Sequence, residues 1–299
     1  MKLQREGKPA EAEAEYRTLL LADGLPAIEK AHALNNFGAL LFEAGRFREA
    51  APLYLKSKAL WESAGAVAET DLAATMNNLA ESYRVLGRYS EAEPLFLESI
   101  RIREELLGLD HPKTASALNN LGALYLDMNR MRAAGDGLAR SRLDEAESLL
   151  HRALAIKVRL YGADHPETAN VVNNLAALYQ DRGQLENAEE RYKRAIAIRE
   201  KAFGPANPLL AAAYNNLVTI YRILGRLTAS KHYCGKAIAI WEHSPGGEHS
   251  NLALGLNNLG EIYLVTGRIA EAENLFQAID RYLPASIWQD KSQSRRRPR

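Results

Sequence analysis

Cysteine is almost absent from this chain of 299 residues, in which Cys234 is the only one. One thiol can form no intramolecular disulfide and supplies no cluster of zinc ligands, so packing must hold the fold together. Aromatic residues make up only 7%, too few for an aromatic-rich β architecture. No apolar run approaches the roughly 18 residues that span a bilayer, and the charged N-terminus lacks the apolar segment of a signal peptide. We therefore expect a cytoplasmic location.

An excess of charge is also lacking, because 38 basic residues face 37 acidic ones. This balance gives no long-range attraction to nucleic acid or to an anionic membrane, so neither is expected as a partner. The basic end of the chain, residues 291–299, is the one segment that could contact nucleic acid. The sequence contains no HExxH, no CxxC and no phosphate-binding glycine loop. We predict no catalytic residue, no metal site and no cofactor.

Strong helix formers dominate the chain, which contains 48 alanines and 44 leucines. A pair of asparagines recurs along it at spacings of 42, 42, 54, 42 and 42 residues. Each pair lies in a similar context, and an alanine stands four residues before the first asparagine every time. Six copies of one unit are therefore present, with the pairs at 35–36, 77–78, 119–120, 173–174, 215–216 and 257–258.

Each unit has the pattern of two amphipathic helices. In the third copy Leu118, Leu121, Gly122 and Tyr125 stand at positions i, i+3, i+4 and i+7, which places them on one face of a helix. A turn marked by glycine and arginine follows, and a second helical pattern begins after it. A hairpin of this size cannot bury its apolar face alone, so neighbouring hairpins must stack. The sequence predicts an all-α fold, a right-handed α-solenoid of stacked helix-turn-helix hairpins.

The unit resembles the tetratricopeptide repeat. In the second copy the residues that match its pattern are Met76, Leu79, Ala80, Tyr83, Gly87, Tyr89, Ala92, Phe96 and Ser99. The usual repeat has about 34 residues. Here the repeat has 42, and linkers such as REELLGLDHPKTA and RLYGADHPETA are similar to those of the kinesin light chain subtype.

The domain organisation follows from the register of the copies. Residues 1–30 hold a partial repeat, with the second helix only, and its linker, so either the start is truncated or this helix is itself the cap. Six repeats follow at 31–72, 73–114, 115–168, 169–210, 211–252 and 253–283. The third contains an insertion at 131–142 in the turn between its helices, which accounts for the spacing of 54. We expect residues 284–299 to be a disordered basic tail.

The asparagine pairs are the main candidate for function. Side chains at one place on successive first helices line one surface, and an amide can hold a peptide backbone through its donors and its acceptor. The resemblance implies that the second asparagine of each pair clamps bound peptide, which designates Asn36, Asn78, Asn120, Asn174, Asn216 and Asn258. The alternative is that the asparagines bond neighbouring helices and stabilise stacking.

Residues one helical turn away on the same face would supply specificity. Of these, Arg84, Gln180 and Arg222 complete the predicted peptide groove. The other members have mixed charge: His32, Glu43, Glu81, Asp127, Asp181 and Glu261. His111 and His165 stand in Asp-His-Pro sequences, which we interpret as helix starts rather than catalytic or metal sites, because proline suits the first turn of a helix.

The predicted function is that of a non-catalytic interaction scaffold or adaptor, which binds an extended peptide or a partner helix in its concave groove. The partner is thus a protein or a peptide. The alternative is the sensor or autoinhibitory region of a larger signalling ATPase or protease assembly. Monomer and dimer are both compatible with the sequence, because an unpaired first helix and an irregular end are surfaces that another copy can cover.

Overall fold

A computed structural model describes residues 8–22, 24–65, 69–131, 137–243 and 249–279. Over these ranges it contains helices and no strand, which confirms the all-α prediction. The chain divides into two compact units, Met1–Leu160 and Tyr161–Arg299. The thirteen helices in the described ranges are α1 Pro9–Leu21, α2 Ala27–Glu43, α3 Phe47–Ala64, α4 Glu69–Val85, α5 Tyr89–Leu107, α6 Pro112–Arg130, α7 Gly137–Tyr161, α8 Pro166–Asp181, α9 Leu185–Phe203, α10 Pro208–Ile223, α11 Leu227–His243, α12 His249–Val265 and α13 Ile269–Ile279.

The helices after α1 form hairpins in which each first helix packs on the second helix that follows it. In the first unit α2 packs on α3 and α4 on α5; in the second unit α8 packs on α9, α10 on α11 and α12 on α13. Successive hairpins also touch within each unit, since α3 contacts α4 and α9 contacts α10. This arrangement is the predicted stack of helical hairpins. Among the described helices, none has both the length and the apolar composition of a membrane span.

A glycine turn joins the two helices of a hairpin. Gly87 has a φ of 74°, a left-handed conformation that costs glycine little. The backbone amide of Arg88 donates to the carbonyl of Tyr83 at 2.8 Å, and the backbone amide of Gly87 donates to the carbonyl of Arg84 at 3.1 Å. These two bonds form a Schellman motif, which satisfies the last carbonyl groups of α4. The first helix therefore ends at this glycine turn, as the Gly-Arg pair in the sequence indicates.

The turn arginine then lies over a tyrosine of the first helix. The guanidinium of Arg88 is 4.1 Å from the ring centre of Tyr83, and that of Arg142 is 4.6 Å from the ring of Tyr125. Arg142, the last residue of the predicted insertion, thus takes the place that Arg88 has in the preceding hairpin. The insertion also contributes the first residues of α7, which begins at Gly137. Residues 132–136 of the insertion and the predicted tail at 284–299 lie outside the described ranges.

The linkers before α6, α8 and α10 start the next first helix with a side-chain cap. The ring Nδ1 of His111 accepts the amide of Lys113 at 3.2 Å, and that of His165 accepts the amide of Glu167 at 3.1 Å. Proline follows each capping residue as the first residue of α6, α8 and α10, as predicted. The first helices begin three or four residues before the repeat boundaries expected from the sequence.

The lone cysteine lies in the second unit, on α11, where it is 1% exposed and its Sγ donates to the carbonyl of Gly255 at 3.2 Å. Burial raises the pKa of the Cys234 thiol to about 12. Because the thiolate is the nucleophile, we expect iodoacetamide at pH 9 to alkylate the folded protein at least about a hundredfold more slowly than the urea-unfolded protein. Mass spectrometry of timed samples measures both rates. Equal rates would contradict the buried position.

Candidate functional site

The asparagine pairs lie on the first helices of the hairpins. In the first unit the second asparagines Asn36, Asn78 and Asn120 stand on α2, α4 and α6. In the second unit Asn174, Asn216 and Asn258 stand on α8, α10 and α12. Most of them are partly buried, and Asn258 is buried. Five of the six side chains therefore keep part of their surface exposed.

Hydrogen bonds join the asparagines of successive hairpins. In the first unit the Nδ2 of Asn78 donates to the Oδ1 of Asn35 at 3.2 Å, and the Nδ2 of Asn120 donates to the Oδ1 of Asn77 at 3.3 Å. The second unit repeats the contact between Asn258 and Asn215 at 2.7 Å. We call this series the asparagine ladder: the second asparagine of one hairpin donates to the first asparagine of the hairpin before it. The ladder thus ties neighbouring first helices together.

Two of the predicted clamp residues stand outside the ladder. The side chains of Asn36 and Asn216 form no hydrogen bond to any residue that the structure describes. Asn174, in contrast, is engaged by another residue. The amides of Asn36 and Asn216 consequently keep their full capacity of two N–H donors and one carbonyl acceptor.

The predicted arginines of the groove are neutralised by carboxylates. Arg84 bonds Glu81 of its own helix at 2.6 Å and reaches Asp127 on the next first helix. Burial lowers the pKa of Arg84, but the hydrogen bond and charge of Glu81 and the charge of Asp127 outweigh burial and raise it. In the second unit Arg222 pairs with Glu261 in the same manner. Both arginines therefore form ion pairs between neighbouring first helices and are not unpaired cations.

Gln180, the remaining predicted groove residue, accepts the hydroxyl of Tyr192 at 3.2 Å through its Oε1. Tyr192 lies on α9, so this bond closes the hairpin formed by α8 and α9. The oxygen of Gln180 is therefore engaged within its own hairpin.

A second set of polar residues near the turns was missed by the sequence analysis. Glu93 on α5 accepts the hydroxyl of Tyr125 at 3.0 Å and pairs with Arg142 at 2.6 Å. In the second unit Glu189 accepts the hydroxyl of Tyr221 at 2.9 Å. Each glutamate stands 15 residues after the second asparagine of its repeat, a register that could have identified it. These carboxylates join successive hairpins at their turn ends.

Stacked helical hairpins with a glycine turn, a small residue in the first helix and a polar first-helix face define a helical repeat protein. A model of the tetratricopeptide repeat family matches residues 71–136, 138–201 and 209–279, and a second model of the same repeat matches residues 31–64. The chain belongs to the tetratricopeptide repeat family. No curated protein matches its sequence.

Solved structures share the fold at low sequence identity. BtubC (BKLC) from P. vanneervenii is 20% identical, with a TM-score of 0.61 over 86% of this chain and 94% of that one. A putative kinesin light chain with nearly identical TPR-like repeats from Podosopora anserina is 22% identical, with a TM-score of 0.55 over 76% and 98%. The apo form of RapI is 12% identical, with a TM-score of 0.68 over 94% of both chains. The resemblance to the kinesin light chain subtype thus extends to the fold.

Proposed function

We propose that this protein is a non-catalytic interaction scaffold that holds an extended peptide or a helix of a partner protein on its first-helix face. Solenoids of stacked repeats present an extended concave binding surface, and the proposal assigns the first-helix face to it. The observation that carries the proposal is the series of asparagine pairs, which places an amide at one position on successive first helices. The family supports the coarser part of the proposal, a protein-interaction scaffold.

The asparagine ladder determines how the amides would act on a peptide. A ladder bond uses one N–H of Asn78, so its other N–H and its side-chain carbonyl oxygen remain to meet a peptide backbone. Asn120 likewise keeps one N–H, whereas its Oδ1 already accepts the Nδ2 of Asn119 at 3.5 Å. Asn36 and Asn216 offer the whole amide. At about 0.5–1.5 kcal/mol for each hydrogen bond, four engaged amides contribute a modest binding free energy. Contacts to the peptide backbone do not select for particular peptide side chains. Because carboxylates neutralise Arg84 and Arg222, the face favours backbone contacts over capture of an acidic peptide.

A pull-down from source lysate tests the proposal. The double variant Asn36→Ala/Asn216→Ala removes the unbonded amides. We expect it to capture no partner while its circular dichroism spectrum matches that of the wild type. The matched control is Asn187→Ala, an asparagine on the second helix α9 that bonds only Gln184 among the residues described. This control should retain the partner. Retention by all three proteins would place the binding function elsewhere.

Asn78→Ala separates the ladder from the groove. It removes the rung to Asn35, and we expect the free energy of unfolding to fall by about 1 kcal/mol. Asn216→Ala removes no hydrogen bond to a described residue, so its free energy of unfolding should stay within about 0.5 kcal/mol of the wild type. Urea unfolding followed by circular dichroism measures both changes. Equal losses for both variants would contradict the distinction between ladder and unbonded amides.

The second hypothesis, a sensor or autoinhibitory region of a larger ATPase or protease assembly, stays a prediction. The pull-down separates the two cases because mass spectrometry identifies whether the captured protein carries such a catalytic domain.

A further inference from the structure

The linkers that precede the third and fourth hairpins each carry an aspartate that pairs with the following second helix. In the first unit the carboxylate of Asp110 lies 2.7 Å from the guanidinium of Arg159 on α7. In the second unit the carboxylate of Asp164 lies 2.9 Å from the guanidinium of Arg194 on α9. Each pair holds the linker against its hairpin.

The fifth hairpin lacks this carboxylate. The register of the repeats places Ala206 where the two earlier linkers have aspartate. On α11 the same register places Lys236 at the position of Arg194 and His243 at the position of Arg159. The basic side chains are thus retained where the acidic linker residue is lost.

A cavity of about 630 Å³ lies between this linker and α11. Its volume falls within the range of about 300–1,000 Å³ that is typical of ligand pockets. Tyr214 and Ile240 are buried and supply apolar surface, and Lys236 and His243 line the same cavity. The linker contributes Pro205, Ala206 and Pro208.

The ammonium group of Lys236 is not hydrogen bonded to any of the described residues. The one carboxylate described within 4 Å is that of Glu200, whose Oε1 lies 3.9 Å from the Nζ of Lys236. That same oxygen accepts the hydroxyl of Tyr214. The Nζ lies 5.1 Å from the ring centre of Tyr214. The cavity therefore combines an apolar wall with a cation that has one distant carboxylate partner, Glu200, and no hydrogen bond to a described residue.

We propose that this cavity binds a partner peptide in which an acidic residue stands next to a bulky apolar one. The peptide carboxylate takes the place of the missing linker aspartate and bonds Lys236, and the apolar side chain packs on Tyr214 and Ile240. An acidic ligand complements Lys236 in charge, as Asp164 complements Arg194 in the preceding hairpin. This site uses a linker and a second helix, so it is separate from the first-helix face.

The test uses the acetylated and amidated dipeptide Phe-Asp as the probe. Titration into ¹⁵N-labelled full-length protein should shift the backbone amide signals of Ala206 and Lys236. The peptide Phe-Asn, which lacks the charge, should bind about tenfold more weakly or worse. The variant Asn36→Ala with Asn216→Ala should bind the probe normally, so failure of the groove proposal and failure of this one remain distinguishable.

Variants of Lys236 and Ala206 test where the carboxylate of the Phe-Asp probe binds. Lys236→Gln should weaken Phe-Asp binding about tenfold, whereas Lys231→Gln on the same helix should leave it unchanged. Ala206→Asp restores the linker aspartate and should abolish the shifts while the helical content stays the same. The proposal is overturned if no signal shifts at about 10 mM probe, if Phe-Asp and Phe-Asn bind alike, or if Lys236→Gln binds like the wild type.

Discussion

Phe96→Ala is expected to lower the free energy of unfolding by about 3–5 kcal/mol. Phe96 lies on α5 with no exposed surface, at the register where the neighbouring hairpins have Tyr54 and Leu150. These side chains fill the space between the two helices of a hairpin: Tyr54 packs at Gly38 and Leu150 packs at Gly122. Truncation removes the apolar contact and leaves a cavity that the flanking helices cannot close.

Urea unfolding monitored by circular dichroism measures this loss. The next residue, Leu97, provides a matched control because it is on the same helix and 48% exposed. Leu97→Ala should change the free energy of unfolding by less than about 1 kcal/mol. Comparable losses for the two variants would show that burial within the hairpin does not determine stability here.

Gly38→Ala is expected to destabilise the first hairpin by about 1–3 kcal/mol, although alanine favours helices more than glycine does. A Cβ atom at this position would lie 2.8 Å from Cε1 of Tyr54, a side chain that is 2% exposed and cannot move aside without disturbing the core. Gly235→Ala is the opposite case, because a Cβ there meets no atom within 4 Å. This variant should gain about 0.5–1 kcal/mol from helix propensity alone.

Thermal and urea unfolding of the two variants give the sign of each change. The account requires a loss for Gly38→Ala and a gain for Gly235→Ala. A gain for both would mean that the close approach of α2 and α3 is loose enough to admit a methyl group.

The fold could be predicted from the sequence because its determinants are local and repeated. The apolar spacing of Leu118, Leu121 and Tyr125 identifies one helix, and the same spacing recurs with the 42-residue period. Turn glycines and the prolines after His111 and His165 indicate where helices end and begin. Each of these sequence features determines structure within a few residues of its own position.

The partners of the site residues could not be predicted in the same way. Arg84 meets Asp127, and Arg222 meets Glu261, through contacts between residues about 40 positions apart on different helices. Residue type alone suggested that the two arginines are available to a ligand, whereas the stacking of the helices pairs each with a carboxylate. The turn of the third hairpin also depends on a contact across the insertion, because Arg142 lies over the ring of Tyr125.

Photo-crosslinking of the captured partner tests the central claim, that the partner lies on the first-helix face. The photoreactive residue p-benzoylphenylalanine replaces Ala123, which is on α6 one turn after Asn120, or Leu97 on α5 as the second-helix control. The account predicts a covalent adduct with the partner from position 123 and none from position 97. An adduct from position 97 alone would contradict it and assign binding to the second helices.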